Sequence, residues 1–437
     1  RLGVSEAEDK DALPGFRRYP FGGSSLPESS ILAFEDNAEF TMVVGDLTRR
    51  RESEPRLKDD SPRVLRRLLL LKPSTLVIDD EIRKTASSKR LAWSLQTTGT
   101  PKVNGRQIRI VEGERELVLQ TLLPRNFRLS KTARKSGVPQ AGYLLDVAPE
   151  GEPDEVRFIN VLHVRLDDDK RPIVPAEINE RQGPVRLILR TLERTFQLTL
   201  PRWREAAGEI TILGADGKPI VERCPLASGV LPHTAEGMAM IERWDGAYRS
   251  GRLPAWDTGR PSSDLVQAVE KGTLRPGRAV ELGCGSGTNA VYLAAHDFDV
   301  TAIDLSSTAL MLAQKKAQHE GVAVRWLLAD VLALPRLQPF DVVYDRGCYH
   351  GVRKQHAAAY VESLRRLSKP GTLVLILAGS AKEPSSGSGP PRVTEQEIRS
   401  DFSALFEVVE LRETRFDAAD PKAKGALAWS VLLKRKE

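Results

Sequence analysis

Two grammars of apolar and polar positions divide the chain. Up to about residue 222, short alternating or continuous runs of Val, Ile, Leu and Thr recur, among them FTMVVGDL, VLRRLLLL, TLVIDDEI, RLAWSLQT, QIRIVEG, ELVLQTLL, VRFINVLHVRL, VRLILRTL, TFQLTL and EITILGADGKPIVE. Turn material separates them, and Asn104-Gly105 and Asp216-Gly217 are two-residue hairpin signals. No sustained helical period interrupts the series, so the pattern predicts an all-β sandwich over residues 1–224. Residues 225–237, PLASGVLPHTAEG, carry no period and read as a linker.

From Met238 the pattern changes. Predicted strands Ala279–Gly283, Val300–Asp304, Val324–Ala329, Phe340–Tyr344 and Thr372–Ala378 alternate with amphipathic helices near 288–295, 308–320 and 355–367. Two late strands follow, around Phe406–Leu411 and Leu427–Leu433. Strand–helix alternation of this kind predicts an α/β doubly wound parallel sheet over residues 238–437. Residues 379–391, GSAKEPSSGSGPP, read as a loop after a strand's carboxyl end, either a cover for a ligand or plain surface.

Composition narrows the function classes. A chain of 437 residues exceeds one ordinary core. The 65 Lys and Arg against 59 Asp and Glu leave +6, spread as 38 against 34 up to Thr234 and 27 against 25 after it. The clusters Arg49–Arg51 and Arg66-Arg67 sit among Glu52, Glu54, Asp59 and Asp60, so no nucleic-acid face is expected. No apolar run is long enough for a membrane span. Cys224, Cys284 and Cys348 form no C-x-x-C pair, which favours a reducing compartment and no metal site.

The chemistry concentrates in Glu281-Leu-Gly-Cys-Gly-Ser-Gly287, between the strand AVEL and the helix TNAVYLAA. Glycines let backbone approach a ligand and turn tightly into a helix whose first N–H groups are unsatisfied. Thr288 stands where a dinucleotide fingerprint wants its last glycine. Asp304, Asp330 and Asp345 each close a predicted strand, so all three are expected at one crevice. Singly, each reads equally well as a helix cap.

The second half resembles class I S-adenosylmethionine-dependent methyltransferases of Rossmann-like fold, in their thiopurine/thiol methyltransferase-like branch. The resemblance rests on WDGAYRSGRLPAWDTGRP, ELGCGSGTNAVYLA, DVTAIDLS, FDVVYDRGCYH and KPGTLVL. It implies S-adenosyl-L-methionine as cofactor and a small-molecule methyl acceptor, a thiol or other soft nucleophile first. It implies that Glu281, Gly283, Gly285 and Gly287 line the methionine part, that Asp304 holds the ribose, and that Asp330 with Val331 holds the adenine. Asp345 and Arg346 would form the inner wall, and Trp244, Tyr248 and Trp256 would close over the cofactor. Thiols near pKa ~8.5 need no strong base. Should one be needed, His350 is the best-placed candidate, with Tyr349 beside it.

The first half resembles the C-terminal β-sandwich of heparinase II/III-like polysaccharide lyases, through FRRYPFGG, FTMVVGDLTRR, RVLRRLLLLKPSTLVIDDEI and GEITILGADGKPIVERCPLASGVLP. The resemblance implies a lyase-type sandwich that either binds polysaccharide, docks a partner or is an inert remnant, since the helical toroid that completes such a cleft is missing, and Trp93 and Gln96 stand where that family tends to place a metal-binding His. Such lyases work outside the cell, whereas the cofactor of the second half is made in the cytoplasm, the location expected here. The joining of the two halves reads either as a fusion or as an assembly error that ran two genes together.

Overall fold

The structure, a computed structural model, describes residues 30–47, 63–83, 91–134, 142–166, 176–180, 184–191, 193–202, 208–226, 235–249, 253–335, 337–383, 391–420 and 422–437. The stretch FRRYPFGG, the cluster Arg49–Arg51, residues 227–234 of the expected linker and residues 384–390 of the expected loop lie outside them.

The described part of the first half is antiparallel β throughout. Its layering departs from a two-sheet sandwich. A central sheet is buried on both faces, because successive residues of its inner strands are apolar. Val77, Ile159 and Val161 pack on one side against Leu187, Phe196 and Ile210 of a five-stranded sheet. Ile78 and Phe158, one residue away in each strand, pack on the other side against Trp93, Leu145 and Val147 of a three-stranded sheet. Both hairpin signals hold. Gly105 (φ 58°) turns Pro101–Asn104 into Gln107–Glu112, and Gly217 (φ 76°) turns Glu209–Gly214 into Pro219–Pro225.

The second half carries helices α1 (Ala235–Arg249), α2 (Ser263–Glu270), α3 (Thr288–Ala295), α4 (Ser307–Glu320), α5 (Cys348–Leu367) and α6 (Glu395–Phe402). Its strands, numbered within this half, are β1 (Arg278–Leu282), β2 (Asp299–Asp304), β3 (Arg325–Leu328), β4 (Phe340–Arg346), β5 (Ser368–Gly379), β6 (Phe406–Arg415) and β7 (Leu427–Arg435). They lie in the order β6-β7-β5-β4-β1-β2-β3. The first five run parallel, and β7 runs antiparallel between β5 and β6. Order reverses between β1 and β4, the place where such sheets open a crevice at their carboxyl ends. Ala279, Val300 and Ala302 pack toward α3 and α4. Val280, Leu282 and Val343 pack toward α5 and α6.

The halves share one sheet. Strand Ser30–Asp36 pairs antiparallel with the outer edge of β3, with Glu35 opposite Leu327 and Asp36 opposite Trp326. Arg325 donates to the fully buried Glu35 at 2.8 Å.

Two expectations need correction. The helix read from about 355 begins seven residues earlier, at Cys348, and its backbone leaves helical geometry at His356 (φ −133°). That break hid the first turns from a periodicity reading, and the longer helix carries Tyr349 and His350 in its first turn. Asp330 lies two residues past the end of β3, in the turn that Ala333 closes onto its carbonyl.

Candidate functional site

The crevice is built around the turn from β1 into α3. Cys284 N–H donates to the carbonyl of Ile303 on β2, and Gly287 N–H closes the turn onto Cys284. Gly285 (φ 53°) has Tyr248 over it, and an added Cβ would come within 2.5 Å of the phenol oxygen. Gly287 (φ 75°) faces the other way. A Cβ there would strike Ala313 of α4 and Trp326 of β3, both at 2.6 Å, so this glycine serves helix–sheet packing rather than the crevice. A Cβ on Gly283 would lie 2.9 Å from that of Cys348.

Two groups brace the turn. Asp304 accepts from Gly285 N–H at 2.7 Å through one oxygen and from Ser306 N–H at 2.8 Å through the other. The Leu305 N–H also reaches this carboxylate, which leaves one acceptor position. Burial pushes its carboxyl up to about 6. Lys316 of α4 donates to Ser286 Oγ at 2.9 Å and also to Thr288 Oγ1.

Glu281, almost wholly buried on β1, accepts from Asn289 Nδ2 at 3.0 Å through Oε1. Its Oε2 is buried with no partner. Burial pushes this carboxyl up to about 8. An orphaned carboxylate oxygen in low dielectric costs free energy until a donor reaches it.

The aromatic segment sits above. Tyr248 on α1 is buried, and Trp256, 47% exposed, donates through Nε1 to its phenol oxygen at 3.4 Å. Trp244 meets Trp256 edge-on with centroids 5.7 Å apart. Asp245, which the sequence reading missed, ties α1 to the start of α4. It accepts from Ser306 Oγ (2.8 Å), Thr308 N–H (2.9 Å) and Arg249 Nε (2.8 Å). Burial works against its charge, but these donors hold the carboxyl below its ordinary value.

Asp330 accepts from Leu332 N–H at 2.8 Å, and Val331 beside it is buried. Asp345 is not free to wall a ligand. Its oxygens accept from Cys348 and Tyr349 N–H (both 2.9 Å) and from the Tyr360 hydroxyl (2.5 Å), so it anchors the start of α5. Burial raises it to about 7. Arg346 does reach the crevice, donating from Nη1 to the Trp256 carbonyl at 2.8 Å. Tyr349 does not. Its ring packs on Tyr360 and Phe402, and its hydroxyl donates to Asp401 of α6 at 2.6 Å, which removes it as a catalytic candidate. His350 is buried, with Nδ1 at 2.8 Å from the Gly379 nitrogen.

A family profile described as "Methyltransferase domain" matches residues 279–371, from the strand that enters the glycine turn to the start of β5. The second half is an S-adenosylmethionine-dependent methyltransferase domain.

The chain is similar to several proteins named as methyltransferases. A 2-heptyl-1-hydroxyquinolin-4(1H)-one methyltransferase of Mycobacteroides abscessus is 27% identical over 168 residues, 38% of this chain and 74% of that protein. A probable thiol methyltransferase 2 of Arabidopsis thaliana is 29% identical over 146 residues, 33% of this chain and 64% of that protein. Thiocyanate methyltransferase 1 of Brassica oleracea is 26% identical over 211 residues, 46% and 88%. A solved structure titled for conversion of a disulfide bond into a thioacetal group during echinomycin biosynthesis aligns with 45% of this chain and 92% of its own, at 26% identity and a TM-score of 0.41.

The methyltransferase domain uses S-adenosyl-L-methionine, and its residues fit that group. The free oxygen of Glu281 lacks the donor that an ammonium would supply, while Gly283 and Gly285 let Cys348 and Tyr248 close in on the turn. No helix among the described residues is long and apolar enough to cross a membrane. Asp245 was legible only as a neighbour of Trp244, and Phe416, which packs near Arg346 and His350, carried no local signal at all.

Proposed function

We propose that this domain transfers the methyl of S-adenosyl-L-methionine to a small soft nucleophile, with a thiol as the first candidate. The observation that carries the cofactor's placement is the orphaned Oε2 of Glu281 at the foot of the glycine turn. The ammonium of the methionine part would complete it. The acceptor position left on Asp304 would take a ribose hydroxyl, and Asp330 with the backbone of Val331 would meet the adenine edge. Trp244, Tyr248 and Trp256 would lie over the sulfonium, whose charge aromatic faces attract. When bound, the cofactor supplies an electrophilic methyl. The protein's part is to hold a nucleophile in line with it and keep water out.

The acceptor class draws on similarity to proteins named for a thiol, thiocyanate and a hydroxyquinolone. In the first half, a groove of about 550 Å³ is lined by Arg106, Arg125, Phe127 and Lys131 among others. Arg106 already donates to four backbone carbonyls and Lys131 to that of Pro101. A polysaccharide contact therefore forms no part of the proposal. The test is a methyl-transfer screen with labelled cofactor over thiols, thiocyanate, amines and alcohols. Turnover confined to amines or alcohols would overturn the soft-nucleophile reading.

A further inference from the structure

The carboxyl ends of β3, β2 and β1 are taken, in the reading above, by adenine, ribose and methionine. The ends of β4 and β5 remain for the acceptor. Arg346, the last residue of β4, His350, in the first turn of α5, and Phe416, just past β6, meet there. The Arg346 guanidinium lies 5.3 Å over the Phe416 ring, and the His350 ring stands edge-on to the same ring at 5.8 Å. Beyond its bond to the Trp256 carbonyl, Arg346 has donors to spare among the described residues.

The hydrogen bond to Gly379 fixes the chemistry of His350. A peptide N–H can only donate, so Nδ1, 2.8 Å from the Gly379 nitrogen, must accept. The neutral ring then carries its proton on Nε2, the atom that a Cβ on Gly347 would approach to 3.4 Å. With one nitrogen committed as acceptor and the other already protonated, the ring has no lone pair left with which to take a proton. Burial, reinforced by the charge of Arg346, holds its pKa down to about 4. Asp345, the carboxylate close in sequence, is turned into the start of α5, and the Cys348 thiol is pushed up by burial.

We propose that Arg346 and the Nε2–H of His350 form an anion-binding pair for the methyl acceptor, so that the acceptor reacts as a pre-formed anion and His350 donates to it rather than deprotonating it. The inference rests on the methyl-transfer reading and specifies its acceptor: a thiolate, thiocyanate or an acidic oxyanion. The step balances without a base. The nucleophile's lone pair forms the bond to the methyl carbon, the carbon–sulfur pair returns to sulfur, the opposite charges cancel, and no proton moves. A cation beside the bound acceptor also lowers the acceptor's own pKa, which brings ordinary thiols into range.

Two measurements test this. In ¹⁵N spectra of histidine-labelled full-length protein, with and without S-adenosylhomocysteine, His350 should keep a protonated Nε2 and a bare Nδ1 from about pH 5.5 to about 9. A proton on Nδ1, or a titration near the ordinary ~6.5, would overturn the proposal. In turnover, an alkyl thiol such as 2-mercaptoethanol, well above neutral in pKa like the ~8.5 of a free cysteine, has a proton to lose and thiocyanate has none. His350→Gln keeps an N–H donor but no base, so whatever turnover it loses should be lost equally on both acceptors. His350→Phe should lose about 10- to 100-fold on both, the range of a hydrogen bond to a charged group. A Gln variant that fails on the alkyl thiol alone would restore the base and overturn the proposal. Arg346→Gln should raise the KM for thiocyanate about tenfold or more while S-adenosylhomocysteine binding is kept. Absent S-adenosylhomocysteine binding in the parent protein would instead refute the methyltransferase reading, while the spectra would still decide the state of His350.

Discussion

Glu281 is the side chain most exposed to the consequences of cofactor charge. Burial lifts its carboxyl to about 8, so near neutral pH it holds a proton, and its second oxygen has no partner. An ammonium brought against that oxygen favours the carboxylate and lowers the pKa of the complex. Between the two values the free protein binds more protons than the complex, so binding at pH 7 releases about one proton, and affinity climbs with pH until about 8. Calorimetric titrations with S-adenosylhomocysteine in buffers of differing ionisation enthalpy read that proton directly. Glu281→Gln should abolish it. Buffer-independent heats in the parent protein would show that Glu281 does not meet the ammonium.

At the scale of elements, α1 is held as a cover by one carboxylate. Asp245 satisfies N–H and hydroxyl donors at the start of α4, and α1 carries Trp244 and Tyr248 over the turn. Asp245→Ala strips those donors and leaves α1 without its clasp. It should cost about 1 to 3 kcal/mol in denaturant unfolding and weaken S-adenosylhomocysteine binding about tenfold. Unchanged affinity in a destabilised variant would mean that α1 does not cover the cofactor. Sequence patterns found the elements whose periodicity is unbroken: α3 matches its expected bounds and α4 differs by one residue. They missed the start of α5 because its cause is tertiary. Asp345 reaches forward to the first N–H groups, Gly347 supplies φ 92°, and His356 then breaks the period. Helix α6 went unread although Thr394 and Glu397 form a capping box. The helix is only two turns long, too short to show a period of its own.

Over the whole molecule, the sequence divided cleanly into a β half and an α/β half, but nothing in either pattern announced that the two share a sheet. Edge strands advertise nothing about who pairs with them, and the register of Ser30–Asp36 on β3 is set by contacts nearly three hundred residues apart, such as Glu35 with Arg325. The crevice was legible as a set of positions, since Glu281, Asp304 and the glycines carry their chemistry in local order. Which way each side chain points was not. Asp345, Tyr349 and Gly287 turned out to serve packing and helix starts, because burial and neighbouring donors decide orientation. The central claim remains that the turn between β1 and α3 receives an adenosyl sulfonium. Titration of the full chain with S-adenosylhomocysteine tests it most directly. The account predicts one saturable site per chain, weakened about 10- to 100-fold in Asp304→Ala; a cooperatively folded parent protein that gives no saturable binding would contradict it.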